Sequence, residues 1–157
     1  YFSPEDLDLV RGEPGNRRDF LDRLLITRTP RLAGVIADYE RVVKQRNALL
    51  KTRTSAAALA PWNEQLIKLG AELTAERIAL IDALNPHVAK NYANLNEVKP
   101  ASISYKCSTE GVSNNIENNI AVLSARLDEV AYQEIKDMMR ELKKLRKKEK
   151  DSWEIVE

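Results

Sequence analysis

Few residues in this chain are spaced to make or break bonds. The one histidine, His87, follows Asn85-Pro86 in a first-turn position. It has no Cys, His or paired acid at ligand spacing, so it is a poor metal ligand. The one cysteine, Cys107, can close no internal disulfide and build no thiolate cage; it reads as a small, partly buried residue. No G-x-x-x-x-G-K-[ST] segment is present to cradle nucleotide phosphates, and G-x-G-x-x-G and H-E-x-x-H are equally absent. Acid pairs such as Asp6/Asp8 and Asp128/Glu129 are common surface features. By itself the chain is therefore expected to turn over no substrate and to hold no cofactor or metal. What remains is charge. Positions 28 to 53 hold seven bases (Arg28, Arg31, Arg41, Lys44, Arg46, Lys51 and Arg53) against Asp38 and Glu40, whereas positions 1 to 15 hold four acids against Arg11. A net charge of +1 draws nucleic acid weakly to the whole molecule, but such segregation can still create a local positive face. Arg41, Lys44, Arg46, Lys51 and Arg53 are the candidate contacts to a polyanion's phosphates, which would position it without reading any sequence. The plainer reading of the same residues is solvated helix surface.

These cations need a helix to display them. Leu32, Val35, Ile36, Tyr39, Val42, Val43, Leu49 and Leu50 recur at steps of three and four, so they predict one apolar stripe down a long helix. Thr29-Pro30 is read as its cap and start. Arg46 and Asn47 interrupt the stripe, and a polar pair in an apolar seam fixes register, binds something, or does both. Gly34 is expected to permit close approach of another segment. Lys51 to Ala60 either extends this helix or frays into a tip. Pro61 is read as starting a second helix with Leu66, Leu69, Leu73, Ile78, Ile81 and Leu84 inward, which makes an antiparallel hairpin with the first. Trp62 is expected to pack over the bend. Before the hairpin, Ser3-Pro4-Glu5-Asp6 opens a short helix to about Val10, Gly12 to Gly15 breaks it, and Asn16 caps an amphipathic helix bearing Phe20, Leu21, Leu24 and Leu25.

After the hairpin, Asn85-Pro86 is expected to restart the chain as a short helix to about Leu95. Ile103, Tyr105 and Cys107 alternate with Ser102, Ser104 and Lys106, which predicts a strand near 101–108. A lone strand cannot satisfy its own backbone, so it implies a missing element or another molecule. Ser113 is read as capping a helix that runs to about Lys150. Its stripe of Ile116, Ile120, Leu123, Leu127 and Val130 shifts by one position to Ala131, Ile135, Met138, Leu142 and Leu145. The fold class is thus mainly α: an antiparallel helical hairpin or bundle, one short strand region and a long C-terminal helix.

A chain of 157 residues with 43% hydrophobic and 31% charged residues fits one soluble helical domain. No run is long and apolar enough to span a bilayer and no signal-type segment opens the chain, so a cytoplasmic setting is expected. The start at Tyr1, in a Pro-containing acidic segment, reads as the interior of a longer protein.

FSPEDLDLVRGEPGNRRDFLDRLL at 2–25, followed by ADYERVVKQRNALLK at 37–51, resembles the RecF family of bacterial recombination-repair ATPases. The likeness is ordered and multi-part, continues more loosely through Asn85-Pro86 and ISYKC at 103–107, and covers roughly positions 1 to 130. The matching positions are Arg17, Arg18, Phe20, Leu21 and Asp22, then Tyr39, Gln45, Arg46, Asn47, Leu49 and Leu50. The resemblance implies an SMC-like ABC ATPase with a nucleotide-binding head and a helical lid, using ATP and Mg. It also implies action at single-strand/double-strand DNA junctions with RecO and RecR, a second RecF-like protomer, and loading of RecA at gaps. On this basis residues 1–15 are a head junction, 16–97 the lid with its hairpin, 98–112 strand and connector, and 113–157 a long helix. The phosphate loop, signature motif and Walker B strand would lie outside these residues. After about position 135 the family pattern stops, and seven Lys or Arg between Arg140 and Lys150 make the tail basic. A divergent product, an engineered join and residues gathered from a longer chain would each account for it. That tail is a solvated face, a nucleic-acid contact or a membrane-surface helix. The alternative function is a structural or protein-interaction arm that does not touch DNA.

Overall fold

A computed structural model describes residues 12–52, 55–94 and 100–153. Among them are four helices and no strand: α1 (Pro14–Arg28), α2 (Leu32–Lys51), α3 (Ala56–Ala93) and α4 (Ile116–Trp153). The helix expected at Ser3 to Val10 lies outside the described residues. The chain divides into two compact units, the first ending at Val122 and the second beginning at Leu123.

In the first unit α2 and α3 form the expected antiparallel hairpin. Arg46 on α2 meets Asn63 on α3, while Arg31 meets Glu72 and Glu76, so one number rises as the other falls. Leu25, Leu32, Leu73 and Leu80 are buried together, with Leu21, Leu24, Val35, Ile36, Tyr39 and Leu84 packed around them. Burying each leucine fully is worth about 2 kcal/mol, so this cluster holds α1 against the hairpin. The stripe on α2 is buried at Leu32 and Val42 but ends exposed at Leu50. Gly34 is exposed and a methyl group there would meet nothing within 4 Å, so the expected close approach is absent.

Several boundaries differ from the sequence reading. α1 begins at Pro14, whose missing N–H costs nothing in a first turn, and Asn16 lies inside the helix instead of capping it. α2 opens from a turn in which the Thr29 carbonyl accepts from Leu32, with no side-chain cap. Ser55, not Pro61, starts α3: its hydroxyl accepts from the Ala58 N–H. Pro61 and Pro86 both lie inside this helix, which runs through Asn85-Pro86 without restarting. Proline removes the bond to the carbonyl four residues back, here Ala57 and Asp82. Both are exposed residues, and the buried positions Leu73, Leu80 and Ile81 hold the helix to its course.

The expected strand at 101–108 is not a strand among the described residues. Residues 101–107 form no regular element and are half-buried on alternate positions, as the pattern predicts, but what lies beside Ile103 is a side chain of α3. A turn follows at Gly111, whose φ of 82° suits glycine, and leads into α4. The cap of α4 is Asn115, which accepts from the Asn118 N–H, and not Ser113. Asn119 is fully buried. Its Oδ1 accepts from the Ser113 N–H at 2.8 Å, and its Nδ2 donates to the carbonyls of Ser113 at 2.8 Å and Ala71 at 3.2 Å. One amide thus folds the connector back on itself and ties it to α3.

The second unit is the remainder of α4. Val130, Tyr132 and Met139 are exposed there, and exposed ion pairs join Arg126 to Glu129, Asp137 to Arg140 and Glu141 to Lys144. Ile135, Met138, Leu142 and Leu145 of the expected stripe lie outside the described side chains.

Candidate nucleic-acid interface

α2 sorts the candidate cations by helical geometry. Lys44 and Lys51 stand three and ten positions after Arg41, so a period of 3.6 brings all three to one side, and all are exposed. Arg46, five positions after Arg41, falls on the opposite side. There its Nε donates to Asn63 Oδ1 at 2.7 Å. Asn47 is exposed, so the polar pair divides: Arg46 joins α3 and Asn47 faces solvent. Arg41 also pairs with Asp38 at 2.9 Å, an exposed contact within one helix that contributes little to stability. Lys44 and Lys51 have no ion pair among the described residues. Arg53 lies outside them.

The other family-motif positions serve several ends. Arg17 Nη1 donates to the Gly12 carbonyl at 3.1 Å, bracing the start of α1. Arg18, Phe20 and Gln45 are exposed, while Leu21 and Tyr39 pack against the core. Asp22 takes part in the best-built polar contact. Arg77 on α3 grips it with two parallel bonds, Nε to Oδ1 at 2.8 Å and Nη2 to Oδ2 at 2.6 Å. Arg77 Nη1 also reaches the Tyr105 hydroxyl at 3.5 Å. The side chains of Arg77 and Asp22 are only 11% and 15% exposed. Burial pulls the Arg77 guanidinium toward its neutral form, but the bonds and charge of Asp22, with Tyr105 behind them, more than reverse this and raise its pKa. At the edge of the hairpin the Arg31 guanidinium is raised by its hydrogen bond to Glu72 and then by that carboxylate's charge.

Sequence reasoning missed Arg77, Asn85 and Asn119. For Arg77 the available signal was a polar residue beside the inward positions Leu73 and Ile78; Asn119 is flanked by Ile116 and Ile120, which are themselves exposed, so its burial left no such signal. His87 is exposed, and no group of three or more His, Cys, Asp or Glu among the described residues is placed to share a metal ion. No helix among the described residues is long and apolar enough to cross a membrane.

The assembled features are a three-helix core, a cation row on one outer face and a buried carboxylate-guanidinium clamp, which define a helical module with polar joints. The chain is 44% identical over 145 residues to the DNA replication and repair protein RecF of Streptomyces avermitilis, covering 85% of this chain and 39% of that one. It is 42% identical over 165 residues to the RecF protein of Rhodococcus erythropolis, covering 96% of this chain and 40% of that one. The chain belongs to the RecF family, and it spans about two fifths of the length of either relative. The second alignment extends past residue 135, farther than the motif resemblance reaches. No family model and no solved structure matches the chain.

Proposed function

We propose that this chain is the helical lid of a RecF-type recombinational repair ATPase, and that the outer face of α2 contacts the DNA backbone. The observation that carries the reading is the identity of 42 to 44% to two proteins named for DNA replication and repair. The exposed row of Arg41, Lys44 and Lys51 supports it, since such a row suits phosphates spaced along a duplex. Arg46 has a different part: bonded to Asn63, it sets the register of the hairpin that displays the row. The lid would accompany the closure of two heads in loading RecA at gapped DNA, with RecR, RecO and a second RecF-like protomer as partners, in the cytoplasm. ATP and Mg belong, in this reading, to parts of the protein outside these residues. The residues here do not fit that group: the chain has no phosphate-binding loop, and its described acids form no metal cluster.

Binding to gapped duplex DNA, titrated with salt, tests the assignment. Changing Lys44 and Lys51 together to alanine should weaken binding on every sequence and lower the slope of log K against log salt by about 2, close to one unit per lost phosphate contact. Arg46→Ala should leave the slope unchanged and lower the unfolding midpoint. Unaltered affinity and slope in the double variant would remove α2 from the DNA surface.

A structural or protein-interaction arm is the second reading. It is favoured by the engagement of Arg41 with Asp38 and Arg46 with Asn63, which leaves a small phosphate footprint. Weak, salt-insensitive DNA affinity with partner binding retained would select it.

A further inference from the structure

Arg77 stands four residues after Leu73 and three before Leu80 on α3, and Asp22 stands three before Leu25 on α1. The fork between them is therefore set into the same interface as the leucine cluster that holds α1 to the hairpin. Stability does not account for it, because apolar residues of similar size are often as stable as a buried ion pair, or more so. What the fork adds is direction. Leucines attract in any arrangement that keeps water out, whereas two parallel N–H···O bonds form only when guanidinium and carboxylate lie face to face in one orientation. The same guanidinium reaches the Tyr105 hydroxyl at 3.5 Å, so one side chain meets both the segment before the hairpin and the segment after it.

We infer that Arg77 is a positioning residue, the joint that fixes the angle between α1 and the α2–α3 hairpin and thereby aims the cation row. This rests on the lid reading, in which α1 and the connector lead to the ATPase head. Lys44 and Lys51 stand 12 and 19 positions after Leu32. At about 1.5 Å per residue they lie roughly 20–30 Å out along α2, so a tilt of about 10° at the joint displaces them by roughly 4 Å. That exceeds the rise of about 3.4 Å between successive phosphates of one DNA strand. With the joint loosened, the row keeps its charge and still meets phosphates, but no longer at one place relative to the head. Arg77 thus governs how DNA on the hairpin is felt in ATP turnover, and leaves the affinity for DNA to the cations.

Pulsed electron spin resonance reads the angle directly, from the distance between spin labels at two exposed sites, Asp19→Cys on α1 and Lys68→Cys on α3, in an otherwise cysteine-free form of the longer protein that carries this chain. One narrow distance is expected with Arg77 in place. Arg77→Lys keeps the charge but loses the fork, so it should broaden that distance. Asp22→Leu with Arg77→Met should broaden it too, with the urea midpoint largely retained. The same pair of changes should cut the response of ATP turnover to gapped duplex DNA by about 5-fold or more and leave DNA affinity within about twofold. A general loss of structure would lower midpoint and affinity together, and if the apolar pair does not fold, Arg77→Lys carries both readouts. An unbroadened distance in a folded variant overturns the inference, because the leucine cluster then fixes the angle unaided. A broadened distance with the ATP response unchanged overturns it as well. Should the unaltered protein show no response of ATP turnover to DNA, the lid reading fails, and the joint stands or falls on the distance alone.

Discussion

Asp22 and Arg77 lie 55 positions apart in the chain, and each would be an isolated charge in a nearly water-free site without the other. Removing one partner strands the second, so Asp22→Ala should cost roughly 3–5 kcal/mol in urea unfolding. Replacing both with apolar residues of similar size, Asp22→Leu with Arg77→Met, should recover most of that loss, because the desolvation of both charges disappears with their attraction. The raised pKa of Arg77 fixes the sign of its pH dependence. A group raised by folding contributes stability below its unfolded pKa and loses it as pH rises through the folded one. For arginine that window is strongly alkaline, so Arg77 should add no pH dependence to unfolding between pH 5 and about 9. Asn119 is a neutral counterpart. Asn119→Ala would leave the Ser113 N–H and two carbonyls without that partner, and a loss of about 2–3 kcal/mol is expected by the same measurement.

The helices show how much a repeating pattern conveys. Step-three-and-four spacing placed the stripe of α2 and the inner face of α3, because a 3.6-residue period converts composition directly into a face. Pattern alone could not say how far along each helix a neighbour extends. Leu73 is buried by α1 and α2, so Leu73→Ala should cost about 2–5 kcal/mol, whereas Leu50→Ala, at a position 42% exposed, should cost less than about 0.5 kcal/mol. Gly34 makes the same point with the opposite sign. It sits within α2 with open space where a methyl would go, so Gly34→Ala should raise stability by about 0.5–1 kcal/mol, read as an upward shift in thermal midpoint. Breaker rules misplaced the ends of α3 because Pro61 and Pro86 each remove one bond, while the packing of the helix between them supplies many contacts.

For the whole molecule, a net charge of +1 makes any attraction to DNA a matter of local arrangement. The basic tail is the competing source of such attraction. Truncation after residue 135 should leave the urea midpoint of the first unit unchanged, since Leu25, Leu32, Leu73 and Leu80 all lie within that unit. If the tail is a solvated face, the salt slope of DNA binding should also survive the truncation. A fall in slope of several units would make the tail the main phosphate contact. Helical class, the hairpin, the cation-rich stretch and the family likeness were all legible from linear order, because each depends on residues close together in the chain or on an ordered motif. The pairing of Asp22 with Arg77, the two bonds of Asn85 to Ile103, the burial of Asn119 and the turning of Arg46 away from Lys44 were settled only when distant segments met. A polar side chain's partner depends on which other group is left without water beside it, and that is a property of the packed molecule.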